Sequence, residues 1–130
     1  MNSHSPIRWA ITAMLLLGLL ACNTAPQYAV QRLPSGREIK VVGIGTMHFA
    51  KGDPALMLKY QTDLSLDNKE ALRKEVEDIW QVFRLNVEQA GLKNAIISAN
   101  EVPKGWFIKK GRGYNFIVVK NEAGEWQLRS

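Results

Sequence analysis

The 130-residue chain has one cysteine, Cys22, and two histidines, of which only His48 lies beyond residue 22. A lone cysteine cannot close a disulfide within the chain, and no thiol remains to pair with His48 at a catalytic or metal site. Asp53, five residues on across a turn, is the acid nearest to His48, and no denser His/Asp/Glu cluster surrounds it. Gly43-Ile44-Gly45 lacks the third glycine of a dinucleotide fingerprint and continues as strand instead of opening a helix, and the Lys-Ser/Thr phosphate loop is absent. These glycines are expected to let a strand bend or pack closely under a helix. The longest apolar run, Trp9 to Leu20, would span only about 18 Å as a helix, where a bilayer needs roughly 20 residues. Internal repeats and low-complexity segments are lacking as well. With no catalytic constellation in view, the expectation is a non-enzyme with no cofactor and no metal.

What is present begins at the amino terminus. Met1 to Arg8 is basic without an acid, Trp9 to Leu20 is apolar apart from Thr12 and Gly18, and Leu19-Leu20-Ala21-Cys22 closes the segment. The last four residues resemble the lipobox of bacterial lipoproteins: an aliphatic residue three before the cysteine and a small one directly before it. The resemblance implies that residues 1–21 are a cleaved signal and that the Cys22 thiol carries a diacylglyceryl group, with a further acyl chain on the new amine in diderm bacteria. An ordinary cleaved signal or an uncleaved anchor is the alternative. Each buried methylene contributes about 0.8 kcal/mol and one chain anchors only marginally, so two or three chains hold the protein at the membrane. Asn23 stands where an outer-membrane avoidance signal would place Asp. The resemblance thus implies the bacterial envelope, in the outer membrane facing the periplasm, or the outer face of the one membrane of a monoderm source.

Residues 22–28, with Pro26, read as the lipidated cysteine and a tether that reaches at most about 25 Å. Residues 29–130 then form a single small domain, burying roughly 60–70% of its unfolded surface. Ala29 to Leu33, the Pro34-Ser35-Gly36 turn and Arg37 to Phe49 read as a hairpin. In its second run Ile39, Val41 and Met47 alternate with Val42 and Ile44, which predicts partial cover on both faces. Leu56, Leu58, Tyr60 and Thr62 alternate with Met57, Lys59, Gln61 and Asp63 as a half-buried strand. Further strands are read at Ala95 to Asn100, Trp106 to Lys109, Tyr114 to Lys120 and around Trp126 to Leu128.

Between them lies one long amphipathic helix, about 67–90. Asp67 and Glu70 have capping-box spacing, with Leu66 and Ala71 placed for a staple. Leu72, Val76, Ile79, Phe83, Val87 and Ala90 step by three or four, and Trp80 widens the stripe. Gly91 and Leu92 predict a Schellman stop. Strands, one helix, then strands gives an α+β domain, with the helix on a mostly antiparallel sheet and the strands flanking the helix able to pair in parallel. A cone-shaped sheet wrapped around the helix is the alternative.

Of the helix carboxylates Glu70, Glu75, Glu77, Asp78 and Glu88, most have a basic residue four positions away (Glu70 with Lys74, Lys74 with Asp78, Arg73 with Glu77, Arg84 with Glu88). They are expected on a solvated face. From Cys22 onward the chain has 16 basic and 12 acidic residues, and the stretch after the helix, from Leu92, has 7 basic and 3 acidic. Lys109, Lys110 and Arg112, flanked by Trp106 and Tyr114, form a cationic hairpin tip beside aromatics, suited to an envelope protein, an anionic lipid or a glycan. Export disfavours nucleic acid as its ligand. The sequence therefore points to a lipid-anchored module that binds a partner near the membrane, with Trp106, Lys109, Lys110, Arg112 and Tyr114 as its contacts. The alternatives are a small-ligand or lipid carrier with a pocket between helix and sheet, and, more remotely, a small hydrolase using His48.

Overall fold

The computed structural model describes residues 28–102 and 112–129. Within them the elements are β1 (Ala29–Arg32), β2 (Glu38–Met47), β3 (Ala55–Thr62), α1 (Lys69–Gln89), β4 (Asn94–Glu101), β5 (Gly113–Lys120) and β6 (Trp126–Arg129). Cys22, the tether and the strand expected at Trp106 to Lys109 lie outside the described residues. The strands lie side by side in chain order as one six-stranded sheet. Hairpin connections make every neighbour pair antiparallel except β3–β4, where α1 returns the chain and the register runs in parallel from Leu56↔Ala95 to Thr62↔Glu101. The fold is α+β, one helix on a mostly antiparallel sheet.

The helix lies on the sheet by the stripe its spacing dictates. Leu72, Val76, Ile79, Phe83 and Val87 are buried against Leu56, Leu58 and Tyr60 of β3, Ala95, Ile97 and Ala99 of β4, and Phe116 and Val118 of β5. Each large side chain so covered contributes about 1.5–3 kcal/mol. The two alanines of β4 let α1 come closest there. Trp80 widens the contact, edge-on to Phe83 and to Trp126 with ring centroids 6.2 and 5.0 Å apart. Ala90 does not join the stripe; it is the exposed C-cap.

Both helix ends have specific chemistry. Gly91 takes φ +71°, and the N–H groups of Leu92 and Gly91 donate to the carbonyls of Val87 and Glu88, the two bonds of a Schellman stop. At the other end the cap is Asn68, whose Oδ1 accepts from Ala71 N–H at 3.3 Å, and not Asp67. The reason is the preceding turn. Asn68 N–H donates to the Ser65 carbonyl and Asp67 N–H to Ser65 Oγ, which starts the helix one residue later, and Asp67 is left to meet Arg112. Leu66, in front of the cap, is buried in the core.

β2 differs from its sequence pattern for a local reason. A bulge between Val41 and Gly43 skips Val42, so Ile39 and Val41 before it and Ile44 after it share the helix side, while Gly43 and Gly45 face away opposite Lys59 and Met57. Partial cover on both faces is thus replaced by a change of phase. The space around both glycines is open, so they allow a bend and do not pack under the helix.

The cap assignment is testable in urea. Asn68→Ala should cost about 1 kcal/mol, whereas Asp67→Ala should cost well under that, having only an exposed ion pair to lose. Equal losses, or the reverse order, would restore Asp67 as the cap.

Candidate functional site

Three features of the described surface and interior can carry function. The first is the end of the sheet where the sequence places its cationic tip. Trp106, Lys109 and Lys110 lie outside the described residues. Arg112 is held by acids on two elements: its Nη2 donates to Glu101 Oε1 at 2.8 Å and to Asp67 Oδ2 at 3.4 Å, which pushes the guanidinium pKa up. Glu101 Oε1 also accepts from Leu66 N–H. Tyr114 is half-buried on the helix side of β5, edge-on to Phe116, with Lys69 Nζ 3.5 Å from its ring centroid. Arg112 and Tyr114 therefore stand at the same end but in different roles, one in a surface ion network and one roofed by the first turn of α1. His48 and Asp53 are both exposed, and among the described residues no hydrogen bond or ion pair joins them.

The second feature is a buried carboxylate, and it corrects the expectation of a wholly solvated acidic face. Glu75 has a side chain only 4% exposed. Its Oε1 accepts from Tyr60 Oη at 2.9 Å and from Thr62 Oγ1 at 2.6 Å, and its Oε2 accepts from Arg37 Nη1 at 2.5 Å. Thr62 Oγ1 accepts in turn from Leu64 N–H. One side chain thus fastens α1 to β3 and, through a half-exposed arginine, to the end of the β1–β2 hairpin. The sequence did hold a signal: Glu75 lies three after Leu72 and four before Ile79, in phase with the apolar stripe, and has no basic residue four away. Of the expected pairs, Glu70–Lys74, Arg73–Glu77 and Arg84–Glu88 form on the surface, while Asp78 accepts from Ser35 Oγ. With donors on both Glu75 oxygens, the carboxylate is a fastening and not a free base. A polar cleft of about 250 Å³, lined by Arg37, Lys40, Gln61, Thr62 and Glu75, opens beside it.

The third feature is the sheet itself. Among the described residues no element covers the face opposite α1. That face carries rows set by the register: Met57, Ile96 and Ile117 in one, Lys59, Ser98 and Asn115 in the next. Lys59, Asn115 and Ile117 are exposed and Met57 is half-exposed, whereas Ile96 and Ser98 at the centre of the two rows are buried. The outer strands are short. β1 pairs only with Glu38–Val41, so the bonding edge of β2 from Val42 to Met47 has no neighbour among the described residues.

Among the described residues, no group of three or more His, Cys, Asp or Glu side chains is placed to hold a metal ion, and no helix is long and apolar enough to cross a membrane.

Burial, the Glu75 charge and the Glu75 hydrogen bond, in that order, push the Tyr60 phenol well above its ordinary 10, against smaller opposing effects of Thr62 and Arg37. The folded state thus favours the neutral phenol. That contribution is complete below pH 10 and is lost as pH rises above it. Alkaline denaturation should therefore steepen above pH 10, and Tyr60→Phe should flatten that slope while costing about 2 kcal/mol at neutral pH. Glu75→Ala should cost about 3 kcal/mol, because it strands two buried hydroxyls. A neutral Glu75→Ala in urea would remove the fastening role.

Compared with known proteins, the chain matches no family model, no curated protein and no solved structure.

Proposed function

We propose that this chain is a lipid-anchored interaction module of a bacterial envelope, tethered through Cys22 on the periplasmic side of the outer membrane, and that it works by binding and not by catalysis. The anchoring reading is carried by Leu19-Leu20-Ala21-Cys22 and by the seven residue steps between Cys22 and Ala29. The binding reading is carried by one observation: among the described residues no further strand or helix lies on the sheet face opposite α1, where Met57, Lys59, Asn115 and Ile117 are accessible. Its accessible side chains, Met57 and Ile117 in one row and Lys59 and Asn115 in the next, have the mixed character of non-obligate interfaces. The partner is an envelope protein. The cationic tip, through Lys109, Lys110 and Trp106, is a second contact suited to an anionic glycan, while Arg112 is taken up by Glu101 and Asp67 and Tyr114 by Lys69.

A carrier reading has one observation in its favour. An apolar cleft of about 170 Å³ lies between α1 and the β1–β2 side of the sheet, lined by Leu33, Ile39, Val41, Ile44, Ile79 and Phe83 among others. Sites for drug-sized ligands run to about 300–1,000 Å³, and a cavity near 150 Å³ holds a molecule the size of benzene. The cleft suits a fragment of that size, and the binding-module reading is the stronger.

Two measurements test the proposal in cells. An alkyne-bearing fatty acid fed to the producing bacterium should label the protein, and Cys22→Ser should abolish the label; label retained by the variant would defeat the anchor at this residue. A photocrosslinking residue at Ile117 should give a discrete protein adduct, and one at outward-facing Glu77 should not. Adducts at Arg112 alone would move the contact to the cationic end, and a small molecule co-purifying in native mass spectra, with no protein adduct, would favour the carrier.

A further inference from the structure

The strand register sets the direction of β1. β1 runs antiparallel to β2 with Ala29 opposite Val41 and Arg32 opposite Glu38. The first residue of β1 is thus the one nearer the end of the sheet that holds Met47 and the β2–β3 loop. The seven steps from Cys22 to Ala29 reach at most about 25 Å, and the six from Val41 to Met47 span about 20 Å. Length alone would let the anchor reach either end. The direction of β1 and the side chains at the two ends decide between them.

Exposed large apolar side chains concentrate toward the β2–β3 loop end. Of nine among the described residues, four fall within eight positions: Val42, Ile44, Met47 and Phe49, each 40–49% exposed. No charged residue interrupts Val41 to Ala50. Around the same end the charges balance: Lys51, Lys93 and Lys120 against Asp53, Glu122 and Glu125. The opposite end holds the ion network of Arg112, Glu101 and Asp67.

We infer that the β2–β3 loop end is the membrane-facing end of the domain, and that Phe49, with Met47 beside it, dips into the bilayer to which the protein is anchored, turning the Arg112 end away from that bilayer. The inference rests on the lipid anchor proposed above. The contact is apolar insertion and not attraction to anionic headgroups, because the charges at this end cancel. A short tether and one inserted aromatic together fix the orientation of the domain, so that the cationic tip and the upper part of the uncovered sheet face are presented to the periplasm.

The test uses the full chain produced and processed in a bacterium, then reconstituted in vesicles. Once Cys22 carries its lipid, Ala50→Cys supplies the one free thiol, and it takes an environment-sensitive fluorophore. Ser65→Cys, near Arg112 at the far end, and Glu77→Cys serve as controls. Intact mass first establishes the acyl chains on Cys22. The label at position 50 should show blue-shifted emission and lose intensity when a nitroxide is carried on the lipid acyl chains. Labels at 65 and 77 should stay water-like. Results should be the same in phosphatidylcholine and in vesicles with added phosphatidylglycerol. Phe49→Asp in the Ala50→Cys background should return the label to water, while circular dichroism of that same variant verifies that the fold persists. A lipidated protein whose position 50 remains in water, or whose position 65 enters the lipid instead, overturns the inference and leaves the anchor standing. A mass without acyl chains overturns the anchor and the inference together.

Discussion

One helix has to cover a six-stranded sheet, and that geometrical shortage governs the rest of the structure. Six strands spaced about 4.8 Å apart make a sheet about 24 Å wide, while a helix with its side chains is only about 10 Å across. The dry core accordingly lies under α1, along β3, β4 and the inner residues of β5, where Tyr60, Ile97 and Phe116 are almost wholly covered. Toward β1 and the far half of β2, cover fails and apolar side chains emerge. Among the described residues, the sheet face without a helix, the edge of β2 beyond β1 and the exposed apolar loop that follows it all come from the same imbalance.

Glu75 is a second consequence. At the flank of α1, the space toward the β1–β2 hairpin is closed by a carboxylate that gathers Arg37, Tyr60 and Thr62 instead of by an apolar side chain. A buried charge of this kind adds little net stability over an apolar replacement of good shape, but losing one partner is costly because the others remain. Its value lies in fixing where the hairpin sits relative to the helix. The position of the hairpin decides in turn where Ala29, and with it the tether, enters the domain.

The proposed binding role draws on extended surfaces of the domain. Arg112 is neutralised locally by Glu101 and Asp67, and His48 stands exposed and apart from Asp53. The broad elements available are a sheet face, a strand edge and two ends of unlike character, one apolar and one rich in ion pairs. Such elements suit recognition of extended surfaces, and the proposed lipid tether would give them a fixed direction.

Local chemistry made much of this legible beforehand. The 3.6-residue stripe from Leu72 to Val87 and the Gly91–Leu92 stop needed only neighbours in the chain, and strand–helix–strand order was enough for an α+β sheet with a parallel pair at β3–β4. The resemblance of Leu19-Leu20-Ala21-Cys22 to a lipobox, on which the proposed anchor rests, is likewise a local pattern of four residues. What the linear order could not contain were choices between partners distant in the chain. Asn68 replaced Asp67 as the cap because the Ser65 turn and Arg112 claimed its neighbour, and the bulge at Val42 appeared only when β2 had to match β3. Glu75 was buried because three donors on other elements converged on it, and which end of the sheet holds the apolar loop followed from the antiparallel sense of β1 against β2. The sequence by itself determined periodicity, stops and the anchor pattern, because these depend on bonds and side chains within a few residues. Tertiary structure decided caps, charges and orientation, because a hydrogen bond or an ion pair is settled by whichever competing partner the fold brings within reach.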